Sequence, residues 1–160
     1  MEVQNNDFRK LSKWESGILF LGCILMVIGI GCFVTMFNYR PISGFVFFVG
    51  SLFFAVQCLQ AYRGSDFTIR RLKSMMNLAN LMFILAGVLM VDTGITYQAV
   101  AVDPLGNHHR FLSTMFSNWE TYQTYIYNKW LPLLLIGVVL ELYTTHRISH
   151  ELGKKRDSSL

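Results

Sequence analysis

Apolar residues fall in four long runs separated by short polar stretches. Residues 17–37 carry no charge, and neither do residues 42–61. Residues 75–95 hold one charged side chain, Asp92; residues 126–143 hold two, Lys129 near the start and Glu141 near the end. A helix needs about 20 mainly apolar residues to cross roughly 30 Å of hydrocarbon. The pattern therefore predicts an all-α fold: a four-span transmembrane helix bundle forming one integral membrane domain over residues 1–160. The connection Asn38–Pro41 is short enough to make the first two spans antiparallel neighbours. The connection Tyr62–Ser74 offers Gly64 to end the second span and Ser65 or Asp66 to cap the next segment. There Phe67, Ile69 and Leu72 interleave with Thr68, Arg70, Arg71 and Lys73, predicting a short segment at the headgroups from which the third span continues.

The stretch 96–125 is the only sizeable part outside the runs. Asp103-Pro104-Leu105-Gly106-Asn107 signals a turn. After it Phe111, Leu112, Met115, Phe116, Trp119 and Tyr122 recur at helical spacing, which predicts an extracytoplasmic amphipathic helix lying in the interface between spans three and four. Tyr122, Tyr125, Tyr127 and Trp130 read as an aromatic belt, with Trp14 as the anchor at the other face. Phe111, Phe116, Trp119, Tyr122 and Trp130 are thus the candidate interface aromatics. Beyond the fourth span, Glu141, Thr144, Thr145, Arg147 and Ile148 carry the helical pattern into the tail 144–160, as far as about Leu152; Gly153 is expected to stop it.

Composition agrees with this reading. The chain is 52% hydrophobic and 15% charged, far too apolar for a soluble domain of this length, where charged residues make up roughly 25%. Charge then gives the orientation. Arg9, Lys10 and Lys13 precede span one; Arg63, Arg70, Arg71 and Lys73 lie between spans two and three; Arg147, Lys154, Lys155 and Arg156 follow span four. Only Arg40, Arg110 and Lys129 fall on the other side. Positive residues stay in the cytoplasm, so both termini are expected there. The net charge of +4 is dealt out to separate segments, unlike the clustered footprint of a nucleic-acid binder. Cys23, Cys32 and Cys58 all sit inside spans and read as small buried apolar residues.

The polar residues within the spans are the candidate functional positions. Asn77, Asn80, Ile84, Gly87 and Val91 share one face of span three, a seam suited to close helix pairing with the amides bonding across it. Gly44, Ser51, Ala55 and Cys58 form a small-residue face on span two, with Gln57 and Gln60 opposite, so span two is expected to touch helices on two sides. Gly22, Gly29 and Cys32 align on span one. Glu141 is expected near a turn from the cytoplasmic interface, pairing with Arg70, Arg71 or Arg147 or accepting from Asn77 or Asn80. Asp92 reads as a span-end carboxylate with no assigned partner. His146 and His150 have the spacing of two metal ligands but lack further ligands nearby. Ser51, Ala55, Gln57, Asn77, Asn80 and Glu141 are therefore candidates for helix pairing or a polar network.

The phrases F-T-I-R-R-L-K at 67–73 and E-L-Y-T-T-H-R-I-S-H-E-L at 141–152 resemble small multi-span bacterial inner-membrane proteins of no known activity. The likeness covers mainly the chain from span two onward. It implies a bacterial inner-membrane location and assigns no active site.

The sequence has no Gly-rich phosphate loop, no Gly-x-Ser-x-Gly and no His-Glu-x-x-His. It points to a non-enzymatic membrane protein, a scaffold or accessory subunit, with no cofactor. Its expected partners are the lipid bilayer and either further copies of itself or another membrane protein. The alternative is a small homo-oligomeric transporter coupled to protons or ions through Glu141. A lipid-modifying enzyme using the outer segment has the least support.

Overall fold

The computed structural model describes residues 12–61, 67–102, 112 and 119–157, and every described element is helical. Helix α1 spans Lys13–Thr35, a 3-10 turn covers Phe37–Tyr39, and α2 spans Arg40–Ala61. Helix α3 runs 36 residues, Phe67–Val102; α4 is a short helix, Trp119–Tyr125; α5 spans Trp130–Asp157. Four helices are long and apolar enough to cross a membrane.

Local chemistry sets several of these boundaries. Glu15 accepts a hydrogen bond from the Ser12 backbone N–H at 2.7 Å, which starts α1. No proline lies between Phe67 and Val102, so the headgroup segment, span three and the first residues of the outer stretch merge into one helix. Span four begins at Trp130 rather than 126 because Asn128 adopts φ 61°. Asn tolerates that left-handed conformation better than most residues, and the break separates α4 from α5. Pro132 falls in the first turn of α5, where its missing N–H costs no helical bond. At the other end α5 continues through Gly153 to Asp157, past the expected stop: a lone glycine lowers helix propensity by about 1 kcal/mol but does not break a helix.

The helices pack in a row, α1 on α2, α2 on α3 and α3 on α5. Neighbours are antiparallel, as the glycine contacts show. A Cβ on Gly29 would lie 2.7 Å from Phe47, and one on Gly22 would lie 3.0 Å from the Gly50 carbonyl. Gly44 abuts Val91 and Gly87 abuts Phe48, while Gly137 of α5 abuts the Phe83 ring. Span two does have two helical neighbours, both within this chain. The ends of the row, α1 and α5, meet through Phe33 and Trp130, whose rings stand edge-on at 5.2 Å.

Two faces of α3 are used. Asn80, Gly87 and Val91 of the expected seam are buried, and the glycine and valine pack on α2. A second seam, Met76, Ala79, Phe83, Ala86 and Met90, is buried as well. Its partner on α5 is a heptad-like stripe of Trp130, Leu134, Gly137, Glu141, Thr144 and Ile148, all buried except the partly exposed Glu141. Phe33, Phe47, Phe83, Ala86, Met90, Trp130 and Leu134 make one apolar core drawn from all four long helices.

Candidate functional site

That apolar core is bounded by two polar layers. The far layer lies at the end where α3 finishes and α5 begins; the near layer lies at the end where α1 begins.

In the far layer the Tyr122 hydroxyl donates to one oxygen of the Asp92 carboxylate. The other oxygen accepts from the Leu112 backbone N–H at 3.0 Å. Thr96 Oγ1 lies 3.2 Å from the Tyr122 hydroxyl, Thr93 Oγ1 accepts weakly from the Asn128 N–H at 3.4 Å, and Asn128 Oδ1 accepts from the Trp130 indole at 2.8 Å. Asp92 and Tyr122 are 1% and 0% exposed. The span-end carboxylate is therefore a buried anchor that ties Leu112 and α4 to α3. Tyr122 and Trp130, expected in an interface belt, are core residues. Their amphipathic character still explains them, since a large ring fills the core while a polar tip finds a partner. Of the other belt candidates, Phe111 and Phe116 lie outside the described residues, as does most of the predicted interfacial helix; Trp119 opens α4.

Beside this layer Arg40 sits among aromatic rings, its guanidinium carbon 4.3 Å from the Tyr97 centroid and 4.5 Å from that of Phe37. Such cation–π contacts suit a cation at a bilayer's edge. Tyr97 also lines an open cavity of about 340 Å³ with Thr96, Val100, Ala101, Gln123 and Tyr127.

The near layer is built differently. Its residues come one from each long helix: Cys23 on α1, Cys58 on α2, Asn80 on α3 and Glu141 on α5. Cys58 lies within interaction range of both Asn80 and Glu141, and Cys23 within electrostatic reach of Glu141. Extending the contact of Phe83 with Gly137 by one helical turn puts Ala79, Asn80 and Glu141 at one level. Four buried oxygens here have no hydrogen-bond partner among the described residues: Glu141 Oε2, Asn80 Oδ1, Asn77 Oδ1 and Gln57 Oε1; Asn80 Nδ2 is likewise unpaired. The expected ion pairs of Glu141 do not form. Arg70 and Arg71 are exposed, and Arg147 bonds Glu151 at 2.9 Å instead. Neither side-chain polar atom of Asn80 reaches Glu141.

Glu141 also closes the near end of an apolar groove of about 260 Å³. Cys23, Met26, Val27 and Ile30 of α1 form one wall; Leu134, Val138 and Leu142 of α5 form the other; Phe54 and Phe83 make the floor. The groove lies on the side where α1 and α5 face each other, below their contact at Phe33 and Trp130.

Ser51, Ala55 and Asn80 are buried between this chain's own helices, so their small or polar faces hold the bundle together. Ser51 Oγ bonds the Phe48 carbonyl at 2.7 Å. Gln57 is buried although it lies opposite the small-residue face, because α1 covers one side of α2 and α3 the other. His146 and His150 are exposed, and no described group of His, Cys, Asp and Glu is arranged to hold a metal. The residue that sequence reasoning undervalued is Asp92. Its signal was available: a carboxylate one turn before Thr96 in the far third of a span, followed by a tyrosine-rich return.

No protein-family model matches this chain, and neither the curated proteins nor the solved structures contain a match.

Proposed function

We propose that this chain is a non-enzymatic accessory subunit of a membrane complex, and that it receives a helical membrane partner along its open α1/α5 side. One observation carries this reading. Within the spanning windows of α1 and α5 only 17% and 22% of residues are buried, against 44% and 56% in α2 and α3. The two outer helices of the row are therefore the ones with most surface left to give, and between them lies a preformed apolar groove. Transmembrane helices associate through shape-matched packing rather than hydrophobic gain, so a groove with a defined floor favours a helix over fluid lipid.

The accompanying orientation has both termini in the cytoplasm of a bacterial cell, with Arg40 and the 103–118 stretch at the outer face. The bias of Lys and Arg supports this arrangement.

Native mass spectrometry of the protein extracted gently from its own membrane tests the proposal. The expected result is a stoichiometric foreign polypeptide that is lost in Val27→Trp and Val138→Trp, which fill the groove, and retained in Leu85→Trp, on exposed α3 surface. Recovery as a lone chain, or a partner retained in both groove variants, would overturn it. A clean homo-oligomer would favour the second reading, an ion-coupled transporter, which the unpaired carboxylate oxygen of Glu141 at the groove's end supports.

A further inference from the structure

Arg40 is half-buried at the far end of the bundle, and no described carboxylate pairs with it. Asp92, the buried carboxylate of that end, is occupied by Tyr122 and Leu112. Aromatic rings surround the guanidinium instead. Its carbon lies 4.3 Å from the Tyr97 centroid, 4.5 Å from that of Phe37 and 5.5 Å from that of Phe33. The Phe37 and Tyr97 centroids are 6.4 Å apart, so the two rings make a nearly right-angled corner with the guanidinium at its apex. Close packing holds the charge there. A Cβ on Gly94 of α3 would stand 2.8 Å from the Pro41 nitrogen and 2.9 Å from the Arg40 carbonyl carbon, so the start of α2 is pinned against α3 beside Tyr97.

The rings attract the charge and leave the N–H groups without acceptors. A guanidinium has five N–H donors, no acceptor and a permanent charge. Nε is buried and unpaired; the terminal nitrogens, which bond no described residue, reach the surface. What Arg40 offers outward is thus the planar fork of donors that matches two oxygens of one phosphate. Ring walls on three sides fix that fork and keep water from its back, which strengthens a charged hydrogen bond. The surroundings suit the edge of a bilayer. Met36, Phe37, Tyr39 and Ile42 form an exposed, largely apolar rim around the site, where glycerol and the first acyl carbons would lie. Tyr97 also walls the cavity of about 340 Å³, and Gln123 and Tyr127 bring polar groups to it. That volume has room for the small alcohol of a headgroup.

We propose that Arg40, boxed by Phe33, Phe37 and Tyr97, binds the phosphate group of a phospholipid in the leaflet at the far end of the bundle, with the headgroup alcohol in the cavity beside Tyr97. The site belongs to the single chain. It uses neither the groove between α1 and α5 nor a partner protein.

The experiment uses the full chain, delipidated in detergent, and follows thermal unfolding during titration with dihexanoyl phosphatidylglycerol. Dihexanoylglycerol, which has the same chains and no phosphate, and inorganic phosphate, which has no chains, are titrated in parallel. The phospholipid should raise Tm saturably, by about 5–10 °C at ~100-fold over its Kd, and neither control should match it. Arg40→Gln should raise the apparent Kd about 10–100-fold, the range for a lost hydrogen bond to a charged group. Lys129→Gln, which removes an exposed cation at the same end, should leave it unchanged. No response in the wild type, an equal response to dihexanoylglycerol or to inorganic phosphate, or a response that survives in Arg40→Gln would each overturn the proposal. If Arg40→Gln fails to fold, hydrogen exchange of the wild type decides. Protection by the phospholipid in residues 37–43 and 95–101 upholds the site, and protection confined to residues 67–73 or 144–157 overturns it. Because no partner is present, failure here leaves the docking proposal standing, and the reverse holds too.

Discussion

The hydroxyl of Tyr122 donates to the carboxylate of Asp92 across 30 positions of sequence, and both side chains are buried. That one bond fastens α4 to the far end of α3. It also turns what would be an isolated charge at the edge of a span into a structural anchor, since the second carboxylate oxygen is held by the Leu112 N–H.

Tyr122→Phe keeps the ring and removes the donor, leaving one carboxylate oxygen buried with a weaker set of partners. Hydrogen bonds to charged groups contribute about 1.5–3 kcal/mol, and the variant should lose that much stability. Its Tm in detergent should fall, and amide exchange in residues 119–125 should quicken while the middle of α3 stays protected. An unchanged exchange pattern would show that α4 is held by something else.

The contact between α1 and α2 gives a sharper contrast. A Cβ on Gly29 would stand 2.7 Å from the Phe47 backbone, whereas nothing lies within 4 Å of one on Gly31. Gly29→Ala must push the helices apart and should destabilise by about 1–3 kcal/mol. Gly31→Ala should be neutral or slightly stabilising, because alanine favours helix. Thermal unfolding of the two variants side by side checks this, and equal Tm values would refute the close crossing.

Asn80→Leu separates two roles for the α3 seam. If the seam joined this chain to another, the substitution would reduce the yield of the complex. The residue is buried against the chain's own helices with both polar atoms unpaired, so replacing it removes an unsatisfied amide. Stability should change by less than about 1 kcal/mol and complex yield should hold. Size-exclusion chromatography and thermal unfolding read both outcomes from one preparation.

Sidedness can be read with single cysteines in a background where Cys23, Cys32 and Cys58 are replaced by alanine. Tyr39→Cys, at an exposed position between α1 and α2, should react with a membrane-impermeant maleimide in intact cells. Thr145→Cys, exposed on the near part of α5, should react only after permeabilisation. The reverse pattern would invert the proposed orientation.

Much of the architecture is legible in the sequence because bilayer thickness and helix geometry leave few choices. Long apolar runs such as 17–37 have to be helices where no water can satisfy the backbone. Short connections such as Asn38–Pro41 force their helices to be antiparallel. The small residues Gly22, Gly29 and Gly44 announce close crossings without saying with which helix. The sequence likewise marked Asn77, Asn80 and Glu141 as polar residues in apolar surroundings.

Which residues meet was decided only in three dimensions. Asp92 and Tyr122 each have ordinary sequence neighbours, and their bond exists because α4 folds back over the end of α3. Glu141 had three candidate cationic partners by proximity in sequence or topology. The packed helices direct Arg70 and Arg71 outward and let Arg147 find Glu151 one turn away. Helical periodicity fixes the direction of a side chain relative to its own helix alone. The rotation of each helix about its axis, and so whether a polar atom meets a partner or an empty valence, is set by the packing of glycines against rings such as Phe47 and Phe83. That packing is a property of pairs of helices, which no single stretch of sequence contains.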